Sequence, residues 1–477
     1  QVAGVIKEPW LWDEVPRSFN NITPENELIL VRRLINIGMG QLAPERLIME
    51  HLYPSDFVRE IAHGRLEKFG VSPVIEGGWF CVPSKTDFDR LILDRRPRNS
   101  VEDRLDWSRL PHGTQFTLLV VRPGFGLRGS AKDLRSWFFC IRNSNPYSNV
   151  VGRPWFQKDA PDLISESGPH WLVLFVQGMG DLNSVDIAQE LHEGILRCGG
   201  AFWSDALLRY DSPIPRSRLF WGIYIDDVVV VMLKRLNKLK RIEDGDLDVI
   251  LSHKISEVYA ETPGVEEAEE KRQSFQPTFT GWGTCVEGRI GTASAPRAKR
   301  SALCVALFAA ARERTVTRKL MEKVIHSITF PFMHRRELMC IWDRSFTWLS
   351  QLNYRRHYLM PAYVVEELLI AALLLPLASA NLRRPVLGAV SCSDATPTAS
   401  GVCHGTLPRA LSTEIYRAIG EHKGFYGRLD KSGSIFEALR PAQPAPLPSE
   451  LRGLIDSISW QDLGGRRFTR IEHINIQ

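Results

Sequence analysis

The stretch from residue 220 to residue 231 constrains the fold of this chain more than any other part of the sequence. Aromatic and β-branched residues lie on both sides of two adjacent acids, Asp226 and Asp227. Such runs are typical of buried strands, so the pattern predicts a hairpin with both carboxylates at its tip. A carboxylate at the edge of an apolar core is costly unless it is paired or binds a cation. On the residues alone a metal site and a solvated turn both remain open, and the apolar context favours the metal.

The composition is that of an ordinary globular protein. Of 477 residues, 44% are hydrophobic and 24% are charged, which allows two or three domains with their own cores. The net charge of +5 is compatible with a nucleic-acid partner but does not demand one. Eight scattered cysteines without a Cys-x-x-Cys pair argue against a zinc ribbon or a disulfide scaffold. We therefore expect reduced thiols and an intracellular protein of the cytoplasm or nucleus.

The longest apolar run, residues 368–380, is interrupted by Pro376. It is too short to cross a bilayer, so it predicts a buried helix and no membrane partner. The sequence opens on Gln1 rather than Met, and we expect it to be a piece of a longer protein.

Two further segments carry candidate polar residues. Residues 130–141 predict a strand that delivers Asp133, followed by an aromatic turn with Phe138. Residues 171–198 predict a strand, a glycine-bearing turn that begins at Gln177-Gly178, and a long helix that contains Gln189. This second segment fits a nucleotide cradle, and a plain packing turn fits it equally well.

Cations flank a predicted two-stranded ribbon formed by residues 77–99. Lys85 and Arg90 lie near its turn, and Asp94 and Asn99 follow. Cations suit a triphosphate because charge-assisted hydrogen bonds to such an anion are strong. Solvated surface residues would show the same spacing.

Several other segments contribute expectations about structure. Residues 115–121 predict a strand and residues 124–129 a glycine-rich turn, while residues 258–271 predict an acidic helix that ends at Lys271. Residues 280–288 contain Gly-Trp-Gly and look like a tight hairpin, where glycine allows a close approach of the backbone.

Taken in order, these elements resemble reverse transcriptases of retroelements. Residues 224–227 are similar to the Tyr-x-Asp-Asp box, Asp133 and Phe138 to the first palm motif, and Gln177-Gly178 to the Gln-Gly…Ser-Pro motif. Two departures concern the last motif, since Gly180 and Asp181 look inserted and Val185 replaces its proline. Lys85 also lies about two residues later than the family pattern.

The resemblance implies an RNA-directed DNA polymerase that transfers deoxynucleotides to a primer 3′-hydroxyl on an RNA or DNA template. Asp133, Asp226 and Asp227 would be catalytic and would bind two Mg²⁺ or Mn²⁺ ions. The nucleotide-binding residues implied by the same motifs are Lys85, Arg90, Phe138, Gln177 and Gly178. Among them, Phe138 would exclude the ribose 2′-hydroxyl, and Lys271 would lie near the leaving phosphate.

The implied fold class is α+β, with the right-hand arrangement of fingers, an antiparallel palm sheet and a helical thumb or connection. The expected divisions are a helical extension (1–75), fingers and palm (76–300), thumb or connection (301–385) and a partial RNase H-like α/β segment (386–477). In the last segment Asp394 would be the first RNase H metal ligand, and residues 473–476 are similar to the part that precedes the catalytic Glu. We expect that RNase H unit to be truncated and inactive as presented.

Two other interpretations remain open. A decayed retroelement could keep the fold and bind nucleic acid without catalysis. The displaced Lys85, the missing proline and the truncated end favour this interpretation, and the intact Asp133, Asp226 and Asp227 argue against it. An RNA-copying polymerase is the third, and the bulky Phe138 disfavours it, because ribonucleotides need room at that position.

Overall fold

The structure is a computed structural model that describes most of the chain. It covers residues 9–418 except 13, 54, 70–73, 83–89, 107, 211, 355 and 396–399, together with Lys7 and residues 460–462 and 467–468. Lys85 and residues 473–476 therefore lie outside the described residues. Within the described part, no helix combines the length and apolarity needed to cross a membrane.

The described residues mix α-helices with antiparallel sheets, as the sequence predicted. The helices are α1 (Pro24–Asn36), α2 (Glu45–Leu52), α3 (Asp56–Phe69), α4 (Arg96–Ser100), α5 (Trp137–Cys140), α6 (Ser184–Cys198), α7 (Leu247–Glu261), α8 (Arg297–Glu313), α9 (Arg318–Met333), α10 (Asp343–Ser350), α11 (Ala362–Leu374) and α12 (Arg409–Ala418). The strands are β1 (Gly40–Pro44), β2 (Gly78–Val82), β3 (Arg90–Asp94), β4 (Phe125–Asp133), β5 (Val150–Trp155), β6 (His170–Leu174), β7 (Leu219–Tyr224), β8 (Asp227–Arg235), β9 (Gln273–Gln276), β10 (Thr278–Gly281), β11 (Thr284–Glu287), β12 (Thr292–Ser294), β13 (Thr315–Thr317), β14 (His357–Leu359), β15 (Ser379–Asn381), β16 (Ala389–Ala395), β17 (Ser400–Thr406), β18 (Trp460–Asp462) and β19 (Arg467–Phe468).

The chain forms two compact units. The first contains the described residues of 1–108, 133–202 and 255–268, and the second those of 109–132, 203–254 and 269–477. The four ranges expected from the sequence follow other boundaries and stay a prediction.

The first unit is built on a three-stranded sheet and a separate ribbon. The sheet has the order β1-β6-β5, and β2 pairs with β3 as predicted, from Gly78 opposite Asp94 to Val82 opposite Arg90. Helix α1 is fixed by Glu27, whose buried carboxylate accepts hydrogen bonds from Trp79 Nε1 at 3.0 Å and from Arg153 Nε at 2.5 Å. Burial of this carboxylate is tolerated because both of its oxygens have donors.

The second unit contains a four-stranded sheet of order β7-β8-β4-β9 and a second sheet of order β10-β11-β12-β15. Their shared core includes Phe116, Phe220, Val229 and Phe279. Residues 228–231 of β8 are all buried, as expected for a central strand covered on both faces.

A buried ionic network ties the β7-β8-β4-β9 sheet to the start of α7 and the loop before it. Arg128 on β4 is fully buried and donates to Asp246 and Asp248 at 2.7–2.8 Å. Lys234 on β8 is also buried; it pairs with Asp246 and donates to the Arg241 carbonyl at 2.8 Å. Removing one partner from such a cluster leaves an uncompensated buried charge and destabilises the fold. The network therefore fixes β4 and β8 to the same acidic residue, Asp246.

Helices α8–α11 enclose an apolar core of their own, which confirms the prediction that residues 301–385 are rich in helix. Farther along the chain, β16-β17-β18-β19 form another antiparallel sheet. Asp394 lies on β16 opposite Gly401.

Three local predictions were wrong. Residues 115–121 are not a strand, because Gly113–Leu118 forms a 3-10 helix whose first turn is capped by His112 and Gln115. Residues 124–129 are largely the start of β4, where Gly129 is needed because a Cβ there would meet the Phe279 ring at 2.4 Å. The helix expected at 258–271 instead ends at Glu261, and Lys271 closes a short 3-10 turn on the surface.

Candidate active-site hairpins and the loop after β6

The predicted acid-tipped hairpin is present as β7 and β8. Its strands are paired up to Tyr224 opposite Asp227, so Ile225 and Asp226 form a two-residue loop. The paired residues behind the tip are buried, whereas Asp226 and Asp227 are half-buried and Tyr224 is 36% exposed. The core therefore holds a rigid stem, and the carboxylates stand where a ligand from solvent can reach them.

Ile225 has a strained backbone. Its φ is +59°, while Asp226 is not among the residues of positive φ. A two-residue hairpin loop with positive φ at its first position is the type II′ pattern, which normally takes glycine there. A β-branched residue in this region is an outlier that costs about 1–3 kcal/mol, and such strain concentrates at active sites and ligand clamps. The strain marks this loop as a functional candidate independently of its sequence motif.

Strand β4 brings the third predicted acid to the end of a strand in the same sheet. It lies beside β8 in the strand order and ends at Asp133, which is half-buried. Directly afterwards Ser136 adopts a left-handed conformation of φ 52°, and α5 begins with Phe138 in its first turn. The sequence prediction of a strand, an acid and then an aromatic turn is confirmed for the backbone.

Asp226 and Asp227 are the residues of this hairpin that could hold a divalent cation. Within the described residues, no group of three or more His, Cys, Asp or Glu side chains is arranged to hold a metal ion. Asp226 and Asp227 nevertheless supply two carboxylates from adjacent residues. In nucleotide enzymes Mg²⁺ takes one or two protein carboxylates and completes its shell with substrate phosphates and water. The hairpin can hold the ion in that manner.

The glycine-rich hairpin predicted at 280–288 is also present, as β10 and β11. Its loop residues Trp282 and Gly283 have φ of 47° and 76°, which is the type I′ pattern. The Trp282 ring stacks on Phe116 at 5.2 Å between centroids and 5° between planes. It also covers Gly222 of β7, where a Cβ would meet the ring at 2.8 Å.

These two hairpins meet on one face of the sheet. Side chains alternate along a strand, so Asp227 shares a face with Val229, and the cross-strand partners Tyr224 and Gly222 share it too. Gly281 of the second hairpin packs against Val229 on that face, since a Cβ at Gly281 would meet both Val229 methyl groups at 2.9–3.0 Å. The glycines thus allow the second hairpin to approach the face that carries Asp227.

In the first unit, the loop after β6 is held by the segment after β3. Asn99 donates to the Gly180 carbonyl at 2.8 Å and accepts from the Leu182 amide at 3.0 Å. Gly178 must be glycine because a Cβ would meet Leu93 at 2.3 Å, and Gln177 is buried with its carboxamide oxygen 3.3 Å from the Ser184 hydroxyl. The structure therefore brings the predicted residues Asn99, Gln177 and Gly178 into one arrangement.

An ion pair that sequence reasoning missed completes this arrangement. Arg95 and Asp181 are paired with their side chains only 3% and 9% exposed. From the sequence alone, Asp181 looks like an inserted residue. The available signal was Arg95 itself, a cation that directly follows the buried end of β3 and needs a buried partner.

The remaining predicted residues have diverse environments. Arg90 is exposed at the start of β3, and Phe138 is half-buried in α5. Gln189 is buried in α6 and donates to Glu193 at 3.0 Å.

Asp94 is a structural residue at the end of the ribbon. Its buried carboxylate accepts hydrogen bonds from the Arg96 side chain at 2.7–2.8 Å and from the Phe19 amide at 2.6 Å. The Arg96 guanidinium, above all, holds the pKa of this carboxyl below its usual value.

Comparison with known proteins yields similarity at the level of structure only. No protein-family model matches the sequence, and no curated protein matches it significantly. Among solved structures, the foamy viral protease-reverse transcriptase in complex with dsDNA aligns with a TM-score of 0.48 at 12% identity, covering 84% of this chain and 68% of that chain. The dRH form of that protein with ds DNA aligns with 0.46 at 13%, covering 83% and 68%, and the complex with an RNA/DNA hybrid with 0.46 at 14%, covering 81% and 48%. Identities this low concern the fold alone, and the function is argued below from the chain's own residues.

Proposed function

We propose that this chain is an RNA-directed DNA polymerase that extends a primer by nucleotidyl transfer from deoxynucleoside triphosphates. The observation that carries the proposal is the β7–β8 hairpin, in which a strained Ile225 holds Asp226 and Asp227 at the tip of a buried stem. Strain of this kind persists only where the surrounding structure imposes it, and a plain surface turn has no need of it.

In this proposal Asp226 and Asp133 are the shared ligands of two divalent ions, and Asp227 supports them. When bound, such ions stabilise the attacking and leaving oxygens of an in-line phosphoryl displacement. The contribution of the protein is to keep the carboxylates in position before substrate arrives, which is the role of a buried stem with a fixed register.

The hairpin at Trp282 and Gly283 is proposed to bind the primer end. It packs on the face of the sheet that carries Asp227, and its loop backbone has glycine where a strand of nucleic acid would have to come close. The stacking of Trp282 on Phe116 makes the loop rigid, and a rigid loop orients a primer hydroxyl better than a mobile one.

The nucleotide would be bound by residues of the first unit. Lys85 and Arg90 are proposed to neutralise the triphosphate, Gln177 and Gly178 to support nucleotide and template, and Phe138 to exclude a ribose 2′-hydroxyl. The right-hand division into fingers, palm and thumb belongs to the same proposal. So does the assignment of Asp394 to a partial RNase H-like site.

Primer extension with an Asp226→Asn variant tests the proposal. The assay uses an RNA template, a DNA primer, deoxynucleotides and Mg²⁺ or Mn²⁺. We expect extension by the parent and none by the variant, because the amide cannot replace an anionic ligand of the metal. The control is Asp244→Asn, the same substitution at an exposed loop residue of the second unit, which should extend like the parent.

Two outcomes would contradict the proposal. Extension by Asp226→Asn at the parental rate would remove the carboxylate from the mechanism. Binding of primer–template without extension by parent or variant would instead support a nucleic-acid-binding protein that does not catalyse.

A further inference from the structure

We propose that a groove in the second unit, remote from the acid-tipped hairpin, binds the backbone phosphates of single-stranded nucleic acid. The groove has a volume of about 1060 Å³ and is lined by residues 118–125, 214–220, 383–386 and 409–417 together with Leu233. Phe125, Phe220 and Leu233 contribute to an apolar floor. Pockets of roughly 300–1,000 Å³ hold drug-sized ligands, so this space suits a few nucleotides of one strand and not a duplex.

The walls of the groove carry charge of almost one sign. Its only acid among the described lining residues is Glu414, and the cations are all arginines: Arg122, Arg216, Arg218, Arg383, Arg384, Arg409 and Arg417. Glu414 is already neutralised, because Arg216 and Arg417 each donate to it at 2.6 Å. The lining therefore keeps a strongly positive balance.

Some of these arginines hold the groove together. Arg383 donates to the carbonyl oxygens of Ile290 at 2.7 Å and Phe125 at 2.8 Å. Arg417 donates to the Ile214 carbonyl, and Tyr416 donates to the Thr117 carbonyl at 3.3 Å. Helix α12 is thus fixed to the rest of the groove, and the walls are preformed.

Other arginines remain available for a ligand. Arg122, Arg218 and Arg409 are exposed, and their guanidinium groups make no hydrogen bond or ion pair with any residue in the described parts of the chain. Arg384 is exposed, and its one side-chain bond to a described residue is a long one of 3.3 Å to Tyr416. Four exposed guanidinium groups along one groove form a site suited to a polyanion.

The chemistry favours phosphate over carboxylate as the partner. An exclusive use of arginine, without lysine, suits the planar bidentate recognition of phosphate oxygens. The apolar floor offers unstacked bases a surface, which is how proteins bind single strands without reading their sequence. An acidic peptide would satisfy the charges, but its residues carry no bases to pack on the apolar floor, whereas every nucleotide carries one beside its phosphate.

The groove is distinct from the proposed catalytic centre. Phe220 lies six residues before Asp226 along β7 and its loop. Four of these residues extend along the strand, so at about 3.3 Å per residue Phe220 is roughly 13 Å from Tyr224, where the loop begins. The inference goes beyond polymerase activity and holds whether or not the chain extends a primer.

The test is binding of a labelled oligothymidylate of about 20 nucleotides, long enough for a typical single-strand site. Parent protein and an Arg218→Gln/Arg384→Gln variant are compared by fluorescence anisotropy across a salt series. We expect the variant to bind about tenfold more weakly and its log–log salt slope to fall by about 1.4, since each lost contact to a single strand removes about 0.7. The control, Arg46→Gln/Arg312→Gln, removes two arginines that are 75% and 82% exposed outside the groove and should behave like the parent.

A second measurement locates the bound strand. Photo-cross-linking with an iodouracil-substituted oligonucleotide should label peptides that contain Phe125 or Tyr416 in the parent and in the control, and the yield should fall in the groove variant at a protein concentration below its dissociation constant. Parental affinity and salt slope in the groove variant, or labelling confined to other peptides, would overturn the proposal. So would binding of a polyglutamate peptide that depends on Arg218 and Arg384 while oligonucleotide binding does not.

The two proposals fail separately. If only the groove is wrong, the groove variant binds like the parent and Asp226→Asn still abolishes extension. If only the polymerase is wrong, nothing is extended and binding of the oligothymidylate still depends on Arg218 and Arg384.

Discussion

The substitution Gly222→Ala should destabilise the second unit, although alanine suits a strand better than glycine. Gly222 lies on β7 opposite Val229, under the ring of Trp282. An added methyl group would lie 2.8 Å and 3.1 Å from two atoms of that ring and 3.0 Å from the Leu208 carbonyl oxygen. Neither neighbour can yield, because the ring is stacked on Phe116 and the Leu208 amide is hydrogen-bonded to β7 at 2.6 Å.

The expected magnitude follows from two opposing terms. Overpacking a well-filled core costs roughly 1–3 kcal/mol. A glycine-to-alanine change at a position with ordinary φ recovers about 0.4–1 kcal/mol by restricting the unfolded chain. The net loss in the free energy of unfolding is therefore about 1–2 kcal/mol. It should lower the melting midpoint by a few degrees, since 1 kcal/mol shifts the midpoint of a 150–250-residue domain by roughly 2–4 °C.

Thermal unfolding monitored by circular dichroism measures the effect, and the same methyl group placed elsewhere is the control. Gly194 lies inside α6 with nothing within 4 Å of an added Cβ, so Gly194→Ala should stabilise the chain by about 0.5–1 kcal/mol. Adding Trp282→Phe to Gly222→Ala should recover part of the loss, because a smaller ring leaves room for the methyl group. A parental midpoint for Gly222→Ala, or strict additivity of the two changes, would refute the packing argument.

Two further predictions concern buried charge and pH. Asp181→Asn should lower the free energy of unfolding by about 3–5 kcal/mol, because it leaves buried Arg95 without its counter-charge. In the same urea titration Asp162→Asn, which breaks an exposed pair with Arg32, should lower it by at most about 1 kcal/mol. Equal losses in the two variants would refute the prediction for Asp181. Burial lowers the pKa of His334, so the unfolded state binds more protons and stability should decrease as the pH falls below about 6.5. The difference between the unfolding midpoints at pH 7.5 and pH 5.5 should shrink in His334→Gln, and an unchanged difference would contradict this assignment.

The local sequence pattern was sufficient to predict those helices and strands whose formation depends on their own residues. The apolar run of residues 220–231 predicted β7 and β8, and the glycines around Trp282 predicted the β10–β11 hairpin. Strand β6 and helix α6 were likewise evident, since a buried strand and a helix that ends at Gly199-Gly200 have clear signatures. The order of Asp133, Phe138 and the acid pair could be predicted for the same reason.

Errors arose where the reason for a residue lies far along the chain. Gly126 and Gly129 suggested a turn, yet they allow β4 to approach Gly288 and Phe279, more than 140 residues later. The pairing of Arg95 with Asp181 spans 86 residues and leaves no periodic trace. A single sequence gives the composition and the spacing of apolar residues. Neither shows which distant part of the chain packs against a glycine.

Backbone strain at the hairpin tip is the feature least accessible to sequence. A two-residue loop of this type favours glycine at the position of Ile225, so its sequence alone argues against the turn that forms. The register nevertheless cannot slip, because a shift of one residue would move Asp227 and Val229 to the opposite face and separate Val229 from Gly281. Trp282, also at positive φ, lies in the hairpin that packs on that same face. Both tips are therefore imposed by the shared core around Phe116 and Val229 rather than by their own loop residues, which is why a methyl group at Gly222 should perturb the two loops together.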